Sequence, residues 1–97
     1  MERQLLLTCS NKFNEALAEF GLDREKVNQN IFETIKQKEE DLEPNLRRFF
    51  HSRYEEDGKG YILAGFVTKK EKAFLIEATS IWDKDPSEGI QIIRVEK

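Results

Sequence analysis

The sequence predicts an α+β domain: a strand, two to three helices, then a three-stranded antiparallel meander, with the helices packed on the sheet. Up to about residue 54, apolar residues recur three and four positions apart, which is the spacing of one helix face. After Glu55-Glu56-Asp57-Gly58 the apolar runs become short and dense, as in strands. The connection between the first two of these runs is too short for a parallel crossover, so they must pair as an antiparallel hairpin.

Residues 2–8 form the predicted first strand, a short apolar run that ends in polar residues. A helix follows, with the i, i+3, i+4, i+7 spacing of one helix face at Phe13, Ala16, Leu17 and Phe20. Ser10 or Asn11 precedes it as an N-cap, because a short polar side chain can accept a hydrogen bond from a free backbone N–H. Gly21 ends it, because glycine takes the left-handed conformation that a helix C-terminus favours.

Two further helices are expected before the meander. Asp23 caps the second, which runs from about residue 24 to the Lys36–Glu40 region. The third covers residues 42–54, with Pro44 in its first turn, where proline is tolerated. Its apolar stripe would bury four side chains: Leu42, Leu46, Phe49 and Phe50.

The meander is predicted from three apolar runs. Tyr61–Val67 is apolar on both alternating faces, as in a central strand that is covered on both sides. Ala73–Trp82 returns after a polar turn, and Ile90–Val95 forms the last strand after a turn-rich loop at 83–89. No linker, repeat or low-complexity segment divides the chain, so residues 1–97 are expected to form a single domain.

Composition narrows the class of protein. The chain has 97 residues and a formal net charge of −3, which argues against a surface that attracts nucleic acid as a whole. The single cysteine, Cys9, cannot form an intramolecular disulfide, and the apolar run at the N-terminus is too short to cross a membrane. We therefore expect a cytoplasmic protein with no membrane partner.

The segment Arg47–Tyr54 is the most distinctive part of the sequence, because three arginines, three aromatic residues and the only histidine occur together there. On a helix, Arg47, His51 and Tyr54 would share one face, with Arg48 beside it and Arg53 on the neighbouring side. Such a face could hold a phosphate, stack a base and transfer a proton near neutral pH. Equally, the arginines could balance the acidic runs on either side, with His51 an ordinary surface residue.

The other candidate residues are weaker indications of a functional site. Glu77 interrupts an apolar strand, so it is either a carboxylate with a raised pKa that serves as a general acid or base, or a group that is solvent-exposed or paired with Arg94 across the strands. The acidic residues of the loop at 83–89 do not have the spacing of a calcium loop. Trp82 lies near a strand end and is either a core residue or a binding anchor. We expect no metal, no cofactor and no catalytic residue.

The order of strand, two helices and three antiparallel strands resembles that of the RelE-type toxins, a family of small ribosome-dependent mRNA endonucleases. The resemblance covers element order over most of the chain and includes no sequence motif. It implies an RNA substrate. The acidic composition departs from that family, whose members are typically basic, and the strands after residue 59 carry few basic side chains.

Two classes of function are therefore expected. The first is a small non-enzymatic regulatory or inhibitory protein that binds another protein, through a strand edge of the meander such as Ile90–Val95 or through the basic-aromatic face. Pairing through a strand edge could also form a homodimer. The alternative is an RNA-binding protein or a toxin-like, metal-independent ribonuclease. The predicted binding residues are Arg47, Arg48, His51, Arg53, Tyr54 and Trp82.

Overall fold

The computed structural model describes residues 3–83, which form one four-stranded mixed sheet and two α-helices that pack on it. The elements in chain order are β1 Gln4–Cys9, α1 Asn11–Phe20, α2 Arg24–Gln37, a 3-10 turn Glu39–Asp41, β2 Arg47–Glu56, β3 Lys59–Lys69 and β4 Ala73–Asp83. The strand order across the sheet is β1-β4-β3-β2. The predicted α+β class with helices packed on the sheet is confirmed, and the order of elements agrees roughly with the prediction. The predicted strand Ile90–Val95 lies outside the described residues.

Both long helices begin and end where the sequence predicts. The Ser10 hydroxyl accepts a hydrogen bond from the backbone N–H of Phe13, and Gly21 ends α1 in the left-handed conformation with φ of 66°. The Asp23 carboxylate accepts hydrogen bonds from two backbone N–H groups in the first turn of α2. Neither helix is long and apolar enough to cross a membrane, within residues 3–83.

The predicted helix over residues 42–54 is wrong, because most of that segment belongs to strand β2. Ten residue pairs join β2 to β3, from Arg47 opposite Thr68 to Glu56 opposite Lys59. The connection is the dipeptide Asp57-Gly58, with φ of 53° and 81°. Positive φ at both positions is typical of the two-residue turn that matches the twist of a hairpin. This Asp-Gly signal was available in the sequence, and it outweighs the helical spacing of the preceding apolar residues.

The meander therefore consists of β2, β3 and β4, with strands Lys59–Lys69 and Ala73–Asp83 close to their predicted positions. Strand β1 lies parallel to β4, with Leu6 opposite Leu75. Because most of the chain separates β1 from β4, no short connection fixes their relative direction. The sheet is therefore mixed rather than wholly antiparallel.

The core lies between one sheet face and the two helices. Helix residues Phe13, Val27, Ile31 and Ile35 are fully buried there. The sheet contributes alternate residues of each strand, since successive side chains point to opposite faces. On this face lie Phe50 and Tyr54 of β2, Leu63 and Val67 of β3, and Phe74, Ile76, Ala78 and Ile81 of β4.

A β-bulge interrupts the alternation in β4. Ala64 lies opposite Ser80 and Gly65 lies opposite Ala78, so Thr79 is an extra residue that has no residue opposite it on β3. A Cβ atom on Gly65 would overlap the Glu77 carbonyl oxygen. The bulge therefore requires glycine at position 65. Beyond Thr79 the faces exchange, which places Ile81 in the core and leaves Trp82 42% exposed on the other face.

Replacing Gly65 by alanine should destabilise the protein by about 2 to 3 kcal/mol, because the added methyl group must displace the backbone of β4. Urea unfolding measures the effect. The control is Gly21→Ala. No neighbouring atom lies within 4 Å of the Cβ that alanine would add there, so the left-handed φ alone costs about 1 kcal/mol. Equal free energies of unfolding for the two variants would contradict the close approach at the bulge.

Candidate functional site

The sheet face opposite the helices is here called the open face. It is defined by the outward side chains of the four strands, chiefly Leu6, Arg47, Phe49, His51, Arg53, Phe66, Leu75, Glu77 and Trp82. The strand register orders these side chains in rows across the sheet. One row joins Arg47, Thr68, Leu75 and Leu6, a later row joins Arg53, Ile62 and Trp82, and Glu55 lies beyond it, opposite Gly60.

The structure divides the predicted basic-aromatic cluster between the two faces of β2. Arg47, His51 and Arg53 lie on the open face together with Phe49, because they are two residues apart along the strand. Arg48 and Tyr54 have the opposite parity and lie on the helix side. Arg47, His51 and Tyr54 therefore do not form the common surface predicted for a helix.

Tyr54 is part of the core. Its side chain is 7% exposed, and its hydroxyl donates a hydrogen bond to the Glu56 carboxylate. Burial, and after it this hydrogen bond, raises the pKa of the Tyr54 hydroxyl. The same Glu56 oxygen accepts the backbone N–H of Asp23, the N-cap of α2. Tyr54 thus contributes to the attachment of a helix to the sheet, and its ring faces the core.

Arg47 is held in one orientation on the open face. Its guanidinium Nη2 lies 2.8 Å from one carboxylate oxygen of Glu77, and its Nε lies 3.4 Å from the other. The guanidinium carbon is 4.0 Å from the centroid of the Phe66 ring, a cation–π arrangement. Because Glu77 already neutralises it, Arg47 presents a planar, stacked group rather than a free positive charge.

The environment of Glu77 lowers its pKa. The hydrogen bonds from Arg47 are the main cause, and they hold the pKa of the Glu77 carboxyl below its ordinary value. The contact with Arg47 favours a paired carboxylate over one with a raised pKa, but the cation is not the expected Arg94, which lies outside the described residues. The cation is instead Arg47 on β2, across the intervening strand β3.

Aromatic side chains form the middle of the open face. Phe49 and Phe66 meet edge to face with ring centroids 5.7 Å apart, and the His51 ring lies 6.0 Å from that of Phe49. Partial removal from water, and then the positive charge of Lys38, lower the pKa of His51. Phe49 was predicted to be core, but it is 37% exposed, whereas Phe50 is buried.

The open face carries a large part of the exposed apolar surface. Among residues 3–83 five large apolar side chains are classed as exposed, and Leu46 is the one that lies outside this face. The other four belong to it: Leu6, Phe49, Leu75 and Trp82. Sequence reasoning selected Trp82 but missed Leu6 and Leu75. Because successive side chains of a strand point to opposite faces, the run Leu5-Leu6-Leu7 implied that at least one leucine faces away from the core, but not which one.

The charges of the open face cancel. Arg47 and Arg53 carry positive charges and Glu77 a negative one. Glu55, which has the same parity on β2 and lies beyond Arg53 at the end of the face, adds a second negative charge, so these four groups sum to zero. Within residues 3–83 no group of three or more acidic, cysteine or histidine side chains could hold a metal ion. The arrangement offers apolar and aromatic contact surface with one fixed arginine.

Comparisons with protein-family models, with curated proteins and with solved structures found no match. The similarity to RelE-type toxins stays a resemblance of element order, and the open face has to be interpreted from its own residues.

If hydrogen bonding from Arg47 sets the titration of Glu77, then Arg47→Gln should raise the Glu77 pKa towards that of a free glutamate. Carbon-13 NMR of the side-chain carboxyl during a pH titration measures it. Arg48→Gln is the matched control, since it removes the neighbouring charge on the opposite face and should leave the Glu77 pKa unchanged.

The sign of the accompanying stability change follows from the lowered pKa. The ion pair contributes to folding above the pKa that Glu77 has in the unfolded chain, and this contribution is lost as the pH falls through the folded pKa. An unchanged Glu77 titration in Arg47→Gln would show that the pair does not form in solution.

Proposed function

We propose that this protein is a non-enzymatic binding module that regulates or inhibits another protein by occupying part of its surface, and that the open face is its contact surface. The observation that carries the proposal is the concentration of exposed Leu6, Phe49, Leu75 and Trp82 on this one face. Leu6 and Leu75 are neighbours in one row and Phe49 packs on Phe66, so these apolar side chains are grouped rather than scattered singly, as they are at many interaction sites.

The residue types on the open face suit a protein partner. Tryptophan and arginine are the residues most enriched among those that dominate binding energy, and here Trp82 is exposed while Arg47 is already oriented by Glu77 and Phe66. An arginine that is fixed before binding loses little further conformational freedom on contact. Arg47 on β2 and Trp82 on β4 lie near opposite ends of the face, so a partner that covers both would also cover Phe66 and Ala64 of the intervening strand β3.

RNA binding is the second candidate, and the Phe49–Phe66 pair beside His51 favours it, because exposed aromatic rings on a sheet can stack bases. The charge of the open face favours a protein partner over RNA. Single-stranded RNA binding requires a surplus of positive charge along the strand, whereas the open face is neutral overall. A ribonuclease needs in addition a second titratable group close to His51. Among the described residues, Lys38 is the charged group whose field lowers the pKa of His51, and its charge has the same sign as that of protonated His51.

Lysine substitutions distinguish the two candidates. Leu75→Lys and Trp82→Lys should each weaken capture of a protein partner by about tenfold or more, because a charge replaces an apolar contact. The same substitutions should strengthen RNA binding, because they add positive charge to the same face. Leu46→Lys is the matched control: Leu46 is 43% exposed, close to Trp82 at 42%, but lies outside the open face.

The measurement is quantitative affinity capture from lysate after nuclease treatment, with anisotropy of a labelled single-stranded RNA in parallel. Proteins that are retained by the wild type and by Leu46→Lys but lost from both open-face variants would support the proposal. Proteins that are retained by every variant, or lost on nuclease treatment, would contradict it. RNA affinity that falls with salt with a slope of about 0.7 per contacted phosphate would support the RNA-binding alternative instead.

A further inference from the structure

Strand β1, Gln4–Cys9, forms one edge of the described sheet. Among residues 3–83, β1 pairs with β4 on one side, and no strand pairs with β1 on its other side. All six residues are uncharged, and the strand contains no proline or glycine. An edge of this kind is the type of surface to which a further strand is added, because nothing in it repels an incoming backbone.

The hydrogen bonds at the two ends of β1 show which backbone groups face outward. The N–H of Gln4 donates to the Lys72 carbonyl at 3.0 Å, and the N–H of Ser10 donates to the Ala78 carbonyl at 3.0 Å. Even-numbered residues therefore bond to β4, and the alternation of a strand directs the odd-numbered ones away from it. The outward N–H and C=O groups belong to Leu5, Leu7 and Cys9.

The edge at the other end of the sheet is protected. Strand β2 carries five charged residues in ten: Arg47, Arg48, Arg53, Glu55 and Glu56. In addition, the side-chain amide of Asn30 on α2 donates to the Arg53 carbonyl at 3.0 Å, so one outward acceptor of this strand is already bonded. Charged side chains and covering groups are the usual means by which a sheet edge resists pairing. Of the two edges of the sheet that residues 3–83 form, the uncharged strand β1 is therefore the one available for pairing.

We propose that β1 pairs with β1 of a second copy of this chain, antiparallel about a twofold axis, so that the four described strands of each copy form one continuous sheet. This inference goes beyond the proposed function and does not depend on it. A partner strand must be uncharged, because Gln4–Cys9 offers no counter-charge, and it must be apolar on the helix side, where Leu5 and Leu7 are half-buried. A second copy meets both requirements with a strand of the same length.

The twofold axis determines which residues of the two β1 strands lie opposite each other. With Leu7 opposite Leu7 of the partner copy, Leu5 faces Cys9 on both sides of the axis, and every outward N–H meets a carbonyl. Three residue pairs with two hydrogen bonds each give six bonds. On the open face, Leu6, which is 46% exposed, packs against Thr8 of the other copy. Cys9 faces leucine rather than a second thiol, so the dimer should not depend on a disulfide.

Sedimentation velocity over a range of protein concentrations tests the dimer. Pairing of one short edge buries little surface, so we expect a reversible monomer–dimer equilibrium in the micromolar range of about 1 to 100 µM. Leu6→Lys should weaken it by about tenfold or more, since it places a charge at the new interface. Leu75→Lys is the control, because Leu75 lies beside Leu6 on β4, is also exposed, and is one strand inside the edge.

These two variants also separate this inference from the proposed function. If Leu75→Lys loses the heterologous partners but forms the dimer unchanged, the result supports both the open face as the contact surface and the pairing of β1. If Leu75→Lys and Leu6→Lys lower dimerisation equally, the copies associate through the open face and the β1 pairing is wrong. Reductant should have no effect on the dimer, and a dimer that reductant dissociates would contradict the Leu7-centred register.

Removal of single backbone N–H groups is the sharper test. Because Cys9 is the single cysteine of the chain, residues 1–8 can be made by synthesis and ligated to residues 9–97. N-methylation of Leu7 should abolish dimerisation and leave the urea midpoint of the monomer unchanged, since that N–H points outward. N-methylation of Leu6, whose N–H bonds to β4, should instead destabilise the monomer. The reverse pattern would overturn the proposal.

Hydrogen exchange identifies what occupies the edge. The amides of Leu5, Leu7 and Cys9 should exchange rapidly in dilute protein and slowly in concentrated protein, while those of Leu6 and Thr8 are protected in both. Protection of Leu5, Leu7 and Cys9 at every concentration in a monomeric sample would mean that the edge is filled from within the same chain. Rapid exchange of all three at high concentration would mean that no copy binds there, and either result overturns the proposal.

Discussion

The close approach of strands β3 and β4 at Gly65 determines which side chains this protein shows to its surroundings. With a Cβ atom at position 65 the Glu77 carbonyl could not lie where it does, and the extra residue Thr79 could not be accommodated. The extra residue exchanges the two faces of β4 for the remainder of the strand. Ile81 therefore enters the core, and Trp82 stands on the open face.

The bulge also fixes the start of the first helix. The carbonyl of Ala78 accepts the backbone N–H of Ser10, and the carbonyl of Thr79 accepts the Ser10 hydroxyl. That hydroxyl in turn accepts the N–H of Phe13 and caps α1. The irregularity that exposes Trp82 thus anchors the junction between β1 and α1, so the position of the helical layer and the composition of the open face share one cause.

The open face and the β1 edge meet at Leu6. Leu6 belongs to the exposed apolar set and to the uncharged edge, and Leu75 continues its row inward. Pairing of two copies along β1 would join two open faces into one broad surface with an apolar seam. A module of this kind could present duplicate contact surfaces to a symmetric partner, which raises avidity without any new type of contact.

The sequence alone determined the parts of the fold that depend on local chemistry. The caps at Ser10, Asp23 and Gly21 and the helical spacing between them predicted both helices, because a helix satisfies its hydrogen bonds within its own segment. The dense apolar runs predicted β3 and β4, although helices cover only one face of these strands and Leu75 and Trp82 are exposed on the other.

Only the tertiary structure decided the identity of β2 and the composition of the candidate site. Arg47–Tyr54 fits a helical pattern and a strand pattern equally well by spacing, and the ladder with β3 selects the strand. That choice separates Tyr54 from Arg47 and brings Phe49 to the surface. The pairing of Arg47 with Glu77 and the exposure of Trp82 depend on register and on a bulge, and these are set by contacts between segments far apart in the chain.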